Sequence, residues 1–248
     1  MDDHWQLHKE IRLDATPEEV WEAVSTGQGI ASWFVPHEFD ANGEHAVADF
    51  GSGNEQTGVV LRREPGRRIV FGNEDGNEAM EFLVEASDGG STVLRLVQSG
   101  LGGEDWEREY HSKGWDLFLY NLTQYLTHFR GQPVVNVLVM GFTPLDSVAV
   151  WERFRTALGI RADLAVGDRV ELEPDGLDPI RGVVDVADHG LLGIRTDHAL
   201  YRFGGEGADA WGMVNAFHYF YGVDIDRAAA TARWQAWLDR LFPPPEQG

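Results

Sequence analysis

One stretch of eighteen residues, GWDLFLYNLTQYLTHFRG at 114–131, constrains the fold more than any other part of the chain. Its apolar residues recur at intervals of four, three, four and three, the spacing of one helical face: Trp115, Leu119, Leu122, Leu126 and Phe129. Further apolar residues beside them make this face wider than a coiled-coil seam. So broad an apolar helix surface needs a second layer of structure to cover it.

The residues before this helix predict that layer. Three segments have the alternation of antiparallel strands, and EPGR and SDGGS mark turns within them: HAVADFG, GVVLRREPGRRIVFG and EAMEFLVEASDGGSTVLRLVQSG. With a first strand in WQLHKEIRLDA, the order is strand, helices, about five strands and the long helix. We predict an α+β fold in which a curved antiparallel sheet wraps around the C-terminal helix.

Two short helices are predicted between the first strand and the strands that follow. Thr16 is suited to cap the first helix, and Pro17 fits its first turn. Gly27 and Gly29 are expected to end this helix. A second helix should then carry Ile30, Trp33 and Phe34 and stop before Pro36.

The same order of elements begins again after Gly131. The segment VNVLVMGFTPLDSVAVWERFRTALG offers a strand, Thr143-Pro144 and a helix that contains Trp151. A closing helix is predicted by Trp234, Trp237, Leu238 and Leu241 at helical spacing. We predict two tandem domains, residues 1–131 and a diverged second copy at 132–248.

Three segments of the first half resemble a known family in their order and spacing: TPEEVWEAVSTGQGIASWF, STVLRLVQSGL and EREYHSKGWDLFLYNLTQYL. They are similar to bacterial relatives of the Hsp90-ATPase activator C-terminal domain, within the SRPBCC or START-like, Bet v 1-like superfamily. The resemblance covers about residues 6–131, and the second half lacks the pairing of SGL with GW. It implies a helix-grip fold, often with a hydrophobic cavity between sheet and helix. Members include lipid and hormone carriers, cyclases and co-chaperone domains.

Periodicity and the resemblance together name residues that line the space between sheet and helix, and the resemblance implies that Trp33 and Phe34 lie near its open end. Met80 and Phe82 share one face of their strand by period-two alternation, and Trp115 faces the concave side of the sheet. The candidate ligand-binding residues are Trp33, Phe34, Phe50, Phe71, Met80, Phe82, Trp115, Leu119 and Leu122. Two interpretations remain open at this point. Protein interiors fill about 0.75 of their volume, so these side chains form either a packed core or a ligand-sized pocket.

Composition excludes several classes of function. The formal charge is −21, from 41 acidic and 20 basic residues, which disfavours contact with nucleic-acid phosphates or anionic lipids. Cysteine is absent, so disulfides and thiolate chemistry are excluded. The N-terminus lacks the pattern of a signal peptide, and no apolar run approaches the length of a membrane span. A cytoplasmic, non-membrane protein is expected.

Candidate catalytic or metal-binding groups are few. His4 and His8 are four residues apart, but on a strand this spacing covers about 13 Å, too far for one metal ion. His111 precedes Trp115 and could reach a pocket mouth as a general base, although a solvated or core histidine is the simpler interpretation. SGLGGEDW is interpreted as a loop, and the carboxylates of GEDWERE as exposed charges at a helix start. We therefore expect no catalytic residue, metal or cofactor.

Three functions follow as hypotheses. The first is non-catalytic binding of a small, largely hydrophobic molecule in a cavity between sheet and C-terminal helix. The second, an interaction module of the co-chaperone or regulatory kind, would dock a protein partner through an exposed apolar patch. The third is a cyclase- or hydrolase-like enzyme, which needs a polar acid or base inside the same cavity.

Overall fold

The chain divides into two compact units. A computed structural model of the protein describes residues 5–101, 105–188, 190–206 and 212–243. Unit 1 comprises Met1–Gln132 and unit 2 comprises Pro133–Gly248. Each unit contains one antiparallel sheet and a closing helix, which makes the protein α+β.

Unit 1 has the helix-grip order of elements. Its sheet has seven antiparallel strands in the order β1-β7-β6-β5-β4-β3-β2, so the first strand pairs with the last. Six strands follow the two short helices, where about five were expected. The elements are β1 (Trp5–Leu13), α1 (Pro17–Ser25), α2 (Gly27–Ala31), β2 (His37–Phe39), β3 (His45–Asp49), β4 (Glu55–Glu64), β5 (Arg68–Gly72), β6 (Ala79–Ala86), β7 (Thr92–Leu101) and α3 (Asp105–Gln124).

Helix α1 begins as its sequence predicts. The Thr16 backbone N–H donates to the Glu19 carboxylate at 2.8 Å, and the Glu19 N–H donates to Thr16 Oγ1 at 3.4 Å. This reciprocal pair is a capping box, and Pro17 occupies the first turn. The Arg130 guanidinium also donates to the Glu19 carboxylate at 2.7 Å. The end of the closing helical segment is therefore tied to the start of α1.

The second helix differs from the prediction. Helix α2 is Gly27–Ala31, so Gly27 begins it instead of ending α1, and Trp33 and Phe34 lie beyond its end. The physical reason is close packing between the two helices. A Cβ atom at Gly29 would lie 2.1 Å from the Glu22 carbonyl oxygen, so only a glycine allows the chain to turn this tightly.

The closing helix of unit 1 covers its own sheet. On α3, Trp115, Leu119 and Leu122 are buried, and the rings of Phe82 and Trp115 are 6.2 Å apart. The predicted helical face continues through a π-helical turn, Tyr125–Phe129, that follows α3 without a break. Leu126 and Phe129 of this turn are also buried. The prediction that a curved sheet grips the long aromatic helix is confirmed.

Unit 2 repeats this order with fewer elements. Its six-stranded sheet has the order β8-β13-β12-β11-β10-β9, so its first and last strands also pair. Within the described residues it has no counterpart of α2 and one strand fewer. Asp146 caps α4, three residues after Thr143. The elements are β8 (Val134–Thr143), α4 (Ser147–Ala157), β9 (Arg169–Leu172), β10 (Ile180–Asp188), β11 (Leu191–Arg195), β12 (Ala199–Glu206), β13 (Gly212–Tyr221) and α5 (Arg227–Leu241).

The core of unit 2 is aromatic and, among its described residues, contains one buried histidine. Trp234 and Trp237 of α5 pack against Phe203 at ring distances of 5.9 and 6.0 Å. His218 of β13 is fully buried, and its ring lies 4.2 Å from that of Trp234. Burial lowers the pKa of His218 to about 3, and the positive charge of Arg202 acts in the same direction. His218 is therefore neutral in the folded protein across the physiological range.

This histidine should make unit 2 sensitive to mild acid. Above about pH 6.5 the group is neutral in both folded and unfolded chains, so it has no effect on stability. As the pH falls, the unfolded chain takes up a proton that the folded chain cannot accept. For a folded pKa of about 3, this lowers the free energy of unfolding by about 2 kcal/mol between pH 7 and pH 5.

The measurement compares denaturant unfolding of wild type and His218→Phe across this pH range, with hydrogen exchange in β12 and β13 to report on unit 2. The wild type should lose the additional stability and the variant should not. The exposed His198 provides the matched control, since His198→Phe should leave the wild-type pH profile unchanged. Parallel profiles for wild type and His218→Phe would show that the buried ring takes up its proton without cost.

A buried ion pair lies on the opposite face of the same sheet. Arg202 of β12 donates from both Nη atoms to the two carboxylate oxygens of Asp185 on β10, each at 2.9 Å. Gly193 of β11 lies between them. A Cβ atom at that position would be 2.6 Å from Asp185 Oδ1 and 2.7 Å from Arg202 Nη1. The absence of a side chain at Gly193 therefore allows the pair to form across the middle strand.

In the part of the chain that the structure describes, no helix combines the length and the apolar character that crossing a bilayer requires.

Candidate functional site

The concave face of the unit 1 sheet forms the floor of the candidate site. Phe71 of β5 pairs with Met80 of β6, which pairs in turn with Gln98 of β7. A second row lies two residues away on each of these antiparallel strands and consists of Ile69, Phe82 and Leu96. Because side chains alternate along a strand, both rows face the helix. The floor is apolar except at Gln98.

Seven aromatic side chains meet above and within this floor. Phe34 connects most of them, with ring distances of 5.1 Å to Trp115, 4.6 Å to Phe118 and 5.9 Å to Phe50. Phe82 joins Trp33, Phe71 and Trp115 at 5.9 to 6.4 Å. We call this set the aromatic cluster: Trp33, Phe34, Phe50, Phe71, Phe82, Trp115 and Phe118. Most of these contacts are edge-to-face or tilted, arrangements that aromatic pairs prefer.

Hydrogen bonds fix the two tryptophans of the aromatic cluster. The Trp33 indole Nε1 donates to the Ala23 carbonyl oxygen of α1 at 2.8 Å, and Asn121 Nδ2 of α3 donates to the Trp33 carbonyl oxygen at 3.4 Å. The Trp115 indole Nε1 donates to Gln98 Oε1 at 2.6 Å. Both indoles are therefore held by their polar atoms as well as by packing.

The nine predicted lining residues divide into two groups. Six are aromatic and all belong to the aromatic cluster, while Met80 lies in the floor row beside Phe71. Leu119 and Leu122 are buried on α3, one and two turns beyond Trp115. Trp33 and Phe82 are almost fully buried, whereas Phe50, Met80 and Phe118 are only half-buried. Phe50, Met80 and Phe118 therefore leave part of their apolar surface uncovered.

Sequence analysis missed three residues of this site. Phe118 lies on the flank of the predicted helical face. Gln98 follows Leu94 and Leu96 at intervals of two on β7, so the alternation could have identified it as inward-facing. His37 begins β2, which follows Pro36 directly. This strand has only three residues, so it is too short to show alternation. Only the fold brings His37 to the aromatic cluster.

His37 is the titratable group of this site. Its ring lies 5.7 Å from that of Phe34 and 6.3 Å from that of Phe71. Its Nδ1 is 2.9 Å from the Val35 carbonyl oxygen, so this nitrogen carries the hydrogen in the neutral ring. Burial lowers the pKa of His37 below its ordinary value, and the hydrogen bond to Val35 opposes this in part. His37 is thus neutral at pH 7, with Nε2 as an acceptor.

The other candidate groups of the sequence lie elsewhere. His8 is exposed, and a ring nitrogen lies 3.3 Å from Gln6 Oε1. His111 is also exposed. His4 lies outside the described residues, as do residues 102–104 and the side chains of 105–110, which include most of SGLGGEDW and GEDWERE. Among the residues that the structure does describe, no group of three or more histidine, aspartate or glutamate side chains could hold a metal ion.

Unit 2 carries a separate cleft of about 510 Å³ beside α4 and α5. Its two arginines are already engaged with the backbone. Arg153 donates to the Leu241 carbonyl oxygen at 2.6 Å, and Arg240 donates to the Asp175 carbonyl oxygen at 3.0 Å. The lining residues are Glu152, Arg153, Thr156, Ala157, Asp175, Trp237, Arg240 and Leu241. The cleft is open, and its lining combines charged side chains with apolar surface from Ala157, Trp237 and Leu241.

Unit 1 is thus a helix-grip domain with a concave aromatic face. Residues 14–127 match the family model described as Activator of Hsp90 ATPase homolog 1-like protein, AHSA1. Unit 1 is therefore similar to the AHSA1 family over most of its length, as the sequence resemblance indicated. The match covers less than half of the chain, and unit 2 lies outside it.

Comparison with other proteins adds distant likenesses. No curated protein matches the sequence. A Bacillus halodurans protein is 26% identical, over 49% of this chain and 96% of its own, with a TM-score of 0.43. DynU16 from the dynemicin biosynthetic locus is 20% identical over 96% of this chain and 95% of its own, TM-score 0.43. BexL, a di-domain ARO/CYC of the BE-7585A biosynthetic pathway, is 14% identical. The match covers 95% of this chain and 94% of BexL, with a TM-score of 0.43. TM-scores this low assign neither fold nor function.

Proposed function

We propose that unit 1 binds a small, largely hydrophobic molecule between its sheet and α3, without catalysis. One observation carries this proposal. The Trp33 indole is fully buried and held by a hydrogen bond to the Ala23 carbonyl oxygen, whereas Phe50, Met80 and Phe118 remain only half-buried. Half-buried apolar side chains that converge on a concave face are typical of ligand sites, which combine apolar walls with a few polar groups.

The AHSA1-type fold supports the same proposal through its architecture. A sheet that curves around a helix encloses space only where the side chains do not fill it. The half-buried Met80 lies in the floor row between Phe71 and Gln98. The ligand would stack on Phe34 and Phe118, since aromatic rings favour flat apolar partners.

Enlarging a floor residue should block binding. Met80→Trp adds a bulky ring where the side chain is half-buried, so the variant should fold while the ligand loses its space. The neutral dye N-phenyl-1-naphthylamine serves as the probe, and its fluorescence is titrated with protein. The wild type should bind it saturably, and the variant at least about tenfold more weakly, which corresponds to roughly 1.4 kcal/mol.

The matched control is Leu83→Trp, on the outward-facing side of the same strand. The outward direction of Leu83 follows from its pairing with Arg68 and Arg95. This variant gains the same ring without entering the concave face, and it should bind the dye as the wild type does. If no saturable dye binding occurs, or if both variants bind like wild type, the concave face is a packed core and the proposal fails.

A further inference from the structure

His37 provides a hydrogen-bond acceptor of fixed direction at the aromatic cluster. Its Nδ1 faces the Val35 carbonyl oxygen at 2.9 Å, so the hydrogen of the neutral ring lies on that nitrogen. The lone pair on Nε2 therefore points away from the Val35 carbonyl group. Within the described part of the chain, the His37 side chain makes no other hydrogen bond.

The surroundings of this acceptor are aromatic. The His37 ring lies against Phe34 and Phe71, and Phe39, two residues along β2, also contacts Phe71 at 6.1 Å. Glu38, between them, is exposed on the opposite side of the strand. A half-buried acceptor among aromatic rings has fewer water contacts than an exposed one, so a donor group of a ligand can replace water there. The His37 ring is neutral at pH 7, because burial lowers its pKa, so Nε2 keeps its lone pair as an acceptor.

We infer that His37 selects the ligand, and that the ligand is an aromatic or similarly flat apolar molecule that carries a hydroxyl or N–H donor. The donor hydrogen-bonds to Nε2 while the apolar body stacks in the aromatic cluster. This inference rests on the proposed binding function and adds the chemical class of the ligand. His37 acts as a specificity-determining residue, since an analogue without the donor leaves Nε2 without its hydrogen bond.

Two probes of nearly the same shape test this inference. 2-Naphthol carries the hydroxyl donor, and 2-methoxynaphthalene replaces it with a group that can only accept. Each is titrated into the full-length protein at pH 7, and binding is followed by calorimetry. The wild type should bind 2-naphthol roughly three- to tenfold more tightly, the advantage expected of one net hydrogen bond.

Variants separate His37 from other causes of that preference. His37→Phe keeps an aromatic ring but removes the acceptor, so the two probes should then bind with equal affinity. His45→Phe is the matched control on the neighbouring strand β3, where the exposed ring pairs with Asp40 at 3.0 Å, and it should keep the wild-type preference. Circular dichroism establishes that both variants are folded.

The outcomes distinguish the two proposals. Saturable binding of both probes with equal affinity by wild type would overturn the role of His37 and leave the binding site intact. A preference for 2-naphthol that persists in His37→Phe would also overturn the role of His37 and leave the binding site intact. If the wild type binds none of the three molecules, neither the two probes nor the neutral dye, the proposed function is overturned, and with it the inference.

Discussion

Replacing Trp33 with alanine should destabilise unit 1 by about 4 kcal/mol, the usual range for removing a fully buried tryptophan being about 3–5 kcal/mol. Trp33 has no exposed surface, and its ring contacts both Phe34 and Phe82. The substitution leaves a cavity beneath the aromatic cluster and removes the donor to the Ala23 carbonyl oxygen. Loss of that donor adds to the cost because the carbonyl group is buried.

Hydrogen exchange followed by mass spectrometry measures this effect in unit 1 separately from unit 2. Protection in β5, β6 and β7 should fall sharply in Trp33→Ala, while protection in β12 and β13 should not change. Trp33→Phe keeps most of the ring volume and loses only the N–H donor, so it should cost less than half as much. A loss below about 1 kcal/mol for Trp33→Ala would show that the cluster collapses into the vacated space.

Removing one partner of the Asp185–Arg202 pair should destabilise unit 2 by about 3–5 kcal/mol, because a buried charge then loses its counterion. The two side chains are 6% and 1% exposed, so water cannot replace the lost hydrogen bonds. Asp185→Leu and Arg202→Met should each show this loss in urea denaturation. The double variant should recover most of the stability, since an apolar pair of similar volume removes both charges together.

Glu171 and Arg181 provide the matched control on the same sheet. They pair at 2.6 Å between β9 and β10, but their side chains are 49% and 71% exposed. Glu171→Gln should leave the denaturation midpoint close to that of wild type, because exposed ion pairs contribute little. If the Asp185 and Arg202 single variants add up to the double variant, the two groups are not coupled and the argument from burial is wrong.

The parts of unit 1 that sequence alone could predict are those with long periodic signals. The spacing of Trp115, Leu119 and Leu122 predicted the covering helix, and alternation predicted Phe82 as an inward residue; both are confirmed. The boundary between the two short helices was predicted wrongly, because it depends on the close approach of Gly29 to Glu22. Such contacts leave no periodic trace in a sequence.

The polar part of the candidate site could not be predicted for a related reason. His37 reaches the aromatic cluster only because β2 pairs with β3 and the sheet curves. Its chemical state depends on the Val35 carbonyl oxygen and on burial, neither of which has a sequence signature. The buried ion pair of unit 2 could not be predicted from sequence either, since Asp185 and Arg202 meet across a third strand.

The glycine between Asp185 and Arg202 has an evolutionary consequence. Any side chain at position 193 would occupy the space through which the carboxylate and guanidinium meet. The three positions are therefore expected to be inherited together. Natural homologues should either keep all three residues or replace all three, and lineages that acquire a bulkier residue at 193 should already have lost the charges on both sides.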